Sequence, residues 1–234
     1  MMNPEAPSIS IILPVFHESE RINEVLAHLC AEELGCEAEV IAVDGDPAAG
    51  TINSITAQAV VKLGSEKGRA RQMNSGAAIA KGDILLFLHA DTVLPQNALP
   101  LVRSAMKDRR IVAGAFTLGI DSPRPLFRIT ERYVALRTRL TRVPFGDQAI
   151  FIRRDYFGAI GGYKEIPLME DVELIKRIRK RNDRICIVPD KVRTSSRRFE
   201  KEGVIYCTVR NMALQIFYAL GVAPERLARW YRTS

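Results

Sequence analysis

Residues 82–91 read Gly82-Asp83-Ile84-Leu85-Leu86-Phe87-Leu88-His89-Ala90-Asp91. The apolar run from Ile84 to Leu88 is short and dense, which suits a strand covered on both faces. Open α/β sheets bind ligands beyond the carboxyl ends of such strands, so His89 and Asp91 fall where a ligand is expected. Alternation at the strand tip puts both on one side, and Ala90 leaves room between them. Further along, Met169-Glu170-Asp171-Val172 opens a helical pattern. An acid at a strand tip and an acidic pair at a helix start suggest a metal site facing a general base.

The neighbouring segments give that strand its sheet. Ile9–Val15, Val40–Val43 and Val60–Leu63 read as further strands, the second ending at Asp44-Gly45. Ile22, Val25, Leu26 and Leu29 recur at helical spacing, and residues 68–80 are rich in Ala, Arg, Gln and Met. Strand and helix patterns that alternate in this way predict an α/β fold with a mostly parallel central sheet and helices on both faces. The second half is less regular. Strands are expected at Val112–Ile120, Ala149–Ile152 and Ile185–Val188. Helices are expected over residues 123–141, 171–181, 203–220 and 224–231.

The chain has 234 residues, 47% hydrophobic and 26% charged. That predicts one large domain with no disordered tract except at the extreme ends. The net charge of +7 favours anionic partners such as nucleotides, phosphates or anionic lipid. Cys30, Cys36, Cys186 and Cys207 form no CxxC pair and read as reduced core thiols of a cytoplasmic protein. Residues 1–7 carry no secretory signal, and no window reaches the ~20 apolar residues of a membrane span.

Several groups could carry chemistry. Asp44 either accepts hydrogen bonds from a ribose or base, or caps the next turn. Lys67, Arg69 and Arg71 surround Gly68 at a helix start, where phosphates bind readily; the alternative is an exposed polar face. Arg193, Arg197 and Arg198 follow the last expected strand and could grip a phosphate with paired hydrogen bonds. Glu170-Asp171 is either an ordinary acidic first turn or the site of a general base. No GxGxxG, GxxxxGK[ST] or GxSxG motif is present, which argues against a dinucleotide dehydrogenase, a P-loop enzyme and a serine hydrolase.

In combination these stretches resemble glycosyltransferase family 2, with the nucleotide-sugar fold called GT-A. Ser10 to Glu18 is similar to that family's first strand, with His17 where Asn is usual. Asp44 matches its nucleoside-recognising Asp. Gly68-Arg69-Ala70-Arg71-Gln72-Met73-Asn74 and Gly82-Asp83 match the helix before its metal strand. His89-Ala90-Asp91 stands for the DxD motif, Glu170-Asp171 for the acidic pair, and Ser195 to Phe199 faintly echoes QxxRW. Residues 46–51 depart from the usual Ser-x-Asp-Gly-Thr, and HxD replaces DxD. Together with Gly-Asp-Gln at 146–148, the motifs resemble a compact bacterial subgroup associated with radical-SAM and selenium-domain genes or arsenosugar synthesis.

The resemblance implies inverting transfer of a sugar from a nucleoside diphosphate, with UDP favoured, to a hydroxyl acceptor. Asp171 would be the base, with Glu170 beside it. Asp91 would hold a divalent metal, Mg²⁺ or Mn²⁺. Pro14, Val15, Glu18, Asp44, Arg69, Asn74, His89, Ala90, Asp91 and Arg198 would bind the donor. Gly146, Asp147 and Gln148 would line the acceptor side. One domain is expected over 1–234, with a nucleotide part at 8–120, an acceptor part at 121–202 and closing helices at 203–234. Peripheral contact with the inner face of a membrane and a homodimer are further expectations; nucleic acid is not. Two rivals are a haloacid-dehalogenase-type phosphatase on Asp44 and Asp46, and a non-catalytic basic module that binds membrane or nucleic acid.

Overall fold

The computed structural model describes residues 7–31 and 38–232. Its centre is one eight-stranded sheet in the order β3-β2-β1-β4-β7-β6-β8-β5. The strands are β1 (Ile9–Val15), β2 (Ala38–Asp44), β3 (Val60–Gly64), β4 (Ile84–Phe87), β5 (Thr92–Val93), β6 (Ile111–Asp121), β7 (Phe151–Arg153) and β8 (Arg184–Ser195). Strands β3, β2, β1 and β4 run parallel. β7 is antiparallel to β4 and β6, β8 returns parallel to β6, and β5 closes the edge antiparallel to β8. Only β7 and β5 therefore oppose the common direction, and the mostly parallel α/β sheet matches the expectation.

The pleat explains why both faces are covered. In β4, Ile84 and Leu86 point into one core with Ile9, Ile11, Leu13 and Val15, whereas Leu85 and Phe87 point into a second core with Ile12, Ile41 and Val43. Helices α1 (Ile22–Ala31) and, after α2 (Gly50–Ser54) and α3 (Arg69–Ile79), α4 (Ala98–Ala105) cover the first face through Leu26, Leu29, Leu99 and Val102. The second face is covered by α3 through Ala70 and Met73.

The later helices are α5 (Pro125–Thr141), α6 (Arg154–Ala159), α7 (Glu170–Lys180), α8 (Arg197–Glu202), α9 (Val204–Ala219) and α10 (Pro224–Arg232). α7 packs Leu174, Ile175 and Ile178 against the second face, the stripe seen in the sequence.

Three expectations change. β4 stops at Phe87, and His89 to Thr92 form a turn closed by the Thr92 N–H on the His89 carbonyl at 3.1 Å. The turn, not strand alternation, therefore aims His89 and Asp91. The last strand runs to Ser195, so Arg193 lies within it. Helices α2, α4, α6 and α8 had no expected counterpart. Cys207 is buried and Cys186 half-buried, both with free thiols. Cys36 and the Cys30 side chain lie outside the described residues, as does most of the segment read for a signal peptide.

Candidate active site

The site starts where β1 and β2 part at their carboxyl ends. Gln72, from α3, is buried there and donates through Nε2 to the carbonyls of Val15 at 2.7 Å and Val43 at 2.8 Å. Gly45 lies so close that a Cβ would stand 2.9 Å from the Gln72 amide. Beyond these ends opens a cleft of about 660 Å³, lined by Pro14, Val15, Phe16, Glu18, residues 67–72, residues 89–91 and residues 165–167. Its size suits a small-molecule ligand. Gly68 enters α3 at φ 143, a backbone that side chains rarely tolerate. Lys67 sits 4.1 Å above the Phe16 ring, and Arg71 is held by Glu165 at 2.9 Å and by Glu66.

Two residues expected at the donor are engaged elsewhere. Asp44 is buried; its Oδ1 accepts from the Asp46 N–H at 3.0 Å, and Oδ2 from Thr51 at 2.9 Å and Ile52 at 3.1 Å. It clasps its own loop onto α2, and backbone N–H groups occupy both of its oxygens. Asn74 brackets the Tyr163 backbone, accepting from its N–H at 2.9 Å and donating to its carbonyl at 2.8 Å. It too positions a turn. The phosphatase alternative loses its nucleophile with Asp44.

A second cavity, about 240 Å³, lies beyond the first. Arg69, His89 and Asp91 line both. The second is walled by Tyr133, Val134 and Arg137 of α5, by Phe145 and Asp147, by residues 168–172, and by Asn211, Met212, Leu214 and Gln215 of α9. Arg198, expected at the donor, lines this second cavity instead; it is paired with Glu202 at 3.3 Å and with Tyr231. Arg197 donates to the Ser195 hydroxyl at 3.0 Å, and Arg193 lines a separate hollow with Lys191 and Arg128.

Asp171 sits in the first turn of α7, after Met169 in the left-handed conformation at φ 69. Its Oδ2 accepts from the Gly146 N–H at 2.6 Å and its Oδ1 from the Val172 N–H at 2.7 Å. A Cβ on Gly146 would stand 2.9 Å from His89 Nε2 and 3.4 Å from Asp171 Oδ2, so glycine permits this approach. Burial, then Arg69, pushes the His89 imidazole down to about 3, so the ring is neutral. Glu170 is buried with Arg69 at 3.5 Å; burial raises its carboxyl, Arg69 opposes the rise and Asp171 adds to it. Asp147 is pushed up to about 6 by burial and by the Asp171 charge, against Arg137. Its enclosed Oδ1 has no hydrogen-bond partner.

Gln148 does not face the cavity. It is buried, donates to the Phe116 carbonyl at 2.9 Å and accepts from the Phe145 N–H at 3.1 Å, thereby fixing the loop that carries Gly146 and Asp147. Sequence reasoning missed Gln72 and Arg137. Arg137 lies over the Phe145 ring at 3.6 Å and donates to Gln215 Oε1 at 3.2 Å. The available signal was its helix phase, beside the buried positions Thr130, Glu131 and Thr138.

Asp91 is exposed at the junction of the two cavities, and the Thr92 hydroxyl donates to its Oδ1 at 3.3 Å. Among the described residues no group of three or more His, Cys, Asp or Glu could hold a metal ion. The arrangement fits a cation held mostly by phosphate oxygens and water with one protein carboxylate, not a closed protein cage.

The model of the family described as Glycosyl transferase family 2 matches residues 10–164. The dolichol-phosphate mannosyltransferase of Saccharomyces cerevisiae is 26% identical over 132 residues, 51% of this chain and 49% of that protein. The undecaprenyl-phosphate 4-deoxy-4-formamido-L-arabinose transferase of Aeromonas hydrophila is 28% identical over 123 residues, 48% of this chain and 38% of that protein. The matched part thus spans half or less of these relatives. Among solved structures, the mannosyltransferase PcManGT from Pyrobaculum calidifontis in complex with GDP-Man and Mn²⁺ superposes with a TM-score of 0.72 at 19% identity. That match covers 97% of this chain and 69% of that one. GalNAc-T7 with UDP, GalNAc and Mn²⁺ gives a TM-score of 0.59 at 16% identity over 82% of this chain and 44% of that one. Both likenesses establish the GT-A fold.

Proposed function

This chain belongs to glycosyl transferase family 2, and we propose that it moves a sugar from a nucleoside diphosphate to a hydroxyl acceptor with inversion. One observation carries the proposal. Arg69, His89 and Asp91 stand in both cavities at once, so a sugar on a diphosphate in the first cleft meets an acceptor in the second at those residues. Asp171 takes the acceptor proton as the acceptor oxygen attacks the anomeric carbon, and the bond to the diphosphate oxygen breaks with its electron pair. The Gly146 N–H holds the Asp171 carboxylate for that transfer. Neutral His89 adds no competing charge, and Arg69 draws the diphosphate towards Asp91. Asp91 would hold a divalent cation, which would supply charge neutralisation for the leaving diphosphate. Asp147, partnerless at Oδ1, accepts a hydrogen bond from the acceptor. Leu118, Val134, Phe145 and Leu168 suit an acceptor with an apolar body. Kinship with the radical-SAM-associated subgroup rests on the sequence motifs alone.

Calorimetric titration of UDP and GDP, each with and without Mn²⁺, tests this. Metal should tighten the preferred diphosphate and, by linkage, the diphosphate should tighten metal by the same factor. Asp91→Ala should abolish the coupling, and His89→Ala should reduce it less. Unchanged diphosphate affinity with metal in the native protein would remove Asp91 from this role.

A further inference from the structure

Helices α5 and α9 each turn an apolar stripe outwards. On α5 it comprises Leu126, Ile129, Tyr133, Leu136 and Leu140, spaced three and four residues apart and 36–74% exposed. On α9 it comprises Ile205, Val209, Ile216 and Leu220, 56–75% exposed. The two helices touch, and Arg137 of α5 donates to Gln215 of α9. Tyr133 and Met212 border the stripes and also line the cavity between the helices, so the stripes flank that cavity. Tyr206, Phe217 and Trp230 extend the exposed surface with aromatic rings. Scattered apolar residues are ordinary on a protein surface, but a paired stripe of this kind is not.

Charge decides what covers it. Residues 124–142 hold six arginines against one glutamate, and residues 197–232 hold six arginines and one lysine against three glutamates. These two segments exceed the whole net charge of +7, so the rest of the chain is acidic on balance. Arg132 and Arg139 are exposed and lie one step round α5 from its apolar stripe. We propose that the outer faces of α5 and α9 form a docking surface for an anionic lipid bilayer. The stripes enter the acyl boundary, the rings sit at the headgroups and exposed arginines such as Arg132 and Arg139 meet lipid phosphate, each contributing about 1 kcal/mol near such a surface. A second copy of the chain fits less well, because a symmetric contact would press two arginine rims together. No helix among the described residues is long and apolar enough to cross the bilayer, so the contact is along the surface.

Co-sedimentation of the full chain, without nucleotide, with vesicles of phosphatidylcholine alone or mixed with phosphatidylglycerol tests the surface independently of sugar transfer. Binding is expected to the mixed vesicles only and should weaken as salt is raised. Leu136→Glu with Ile205→Glu should lower the partition about tenfold or more, a change of 1.4 kcal/mol per decade. Circular dichroism and melting temperature should stay native. Gln58→Glu with Asn53→Asp, an equal charge change at exposed positions away from the stripes, should leave binding intact. Three results overturn the proposal: no binding to either vesicle, equal loss in both double variants, or a dimer in sedimentation velocity that only the stripe variant dissociates while vesicles stay unbound.

Discussion

Two carboxyl groups of the second cavity differ in what holds them, and each predicts its own experiment. Asp171 is fixed by two backbone N–H donors, of Gly146 and Val172. Asp171→Asn should lower turnover by ~10²–10⁴-fold, the usual cost of a lost general base, with nucleoside diphosphate affinity nearly unchanged. Single-turnover kinetics and donor calorimetry read both; near-native turnover would shift the base role to Glu170 or Asp147. Asp147 is pushed from 3.8 to about 6, so the folded chain binds this proton more tightly than the unfolded chain does. Its contribution to stability is present below about pH 4 and is lost as pH rises through 6. In metal-free buffer, Asp147→Asn should therefore be more stable than native by about 1–3 kcal/mol at pH 8, with the gap closing at pH 4. A gap that ignores pH would mean the carboxyl is ordinary. The sequence singled out His89 and Asp91 after an apolar strand and Glu170 and Asp171 at a helix start, and the structure brings all four to one cavity. The backbone bonds of Asp44 and Asn74 were not legible, because an acid after a strand or an amide within a helix looks the same whether it meets ligand or backbone.

At the scale of elements, Gln72 does for β1 and β2 what sheet pairing no longer does past Val15 and Asp44. It serves two carbonyls, and because that of Val15 also accepts from the Gly45 N–H at 3.1 Å, only the Val43 carbonyl depends on it here. Gln72→Leu should lower unfolding free energy by about 1–3 kcal/mol in urea titration, the cost of an unpaired buried acceptor; no measurable loss would show that water or relaxation replaces the clasp. Gly146→Ala should preserve the fold and still slow turnover, because its new methyl displaces His89 or Asp171. Native melting with native kinetics would refute that. The parallel half of the sheet was legible because β1, β2 and β4 are apolar runs flanked by turns. β8 was read short because Asp190, Lys191 and Arg193 lie exposed or half-buried along a strand with an irregular register, which breaks the apolar signal. α8 and α2 are six and five residues long, below the length at which helical spacing can be recognised.

For the whole molecule, the continuous sheet and the closing helices should differ in stability. Strands β1, β2 and β4 are almost wholly buried, whereas α9 buries only Cys207 and Leu214. Hydrogen exchange should therefore release the amides of residues 204–219 well before those of β1, β2 and β4, and bound anionic vesicles should slow the former alone. Uniform protection would show that the helices share the sheet's cooperative unit. The two cavities also divide the chain. Apart from residues 165–167, the first cleft draws its lining from residues 14–91; apart from Arg69, His89 and Asp91, the second draws its lining from residues 118–231. A chimera joined within residues 94–97, just after β5, would exchange nearly the whole wall of the second cavity between homologues and leave the first cleft, apart from residues 165–167, with its parent. If the first cleft takes the donor and the second the acceptor, as proposed, new acceptor preferences are open to recombination at one crossover and donor preference is inherited separately.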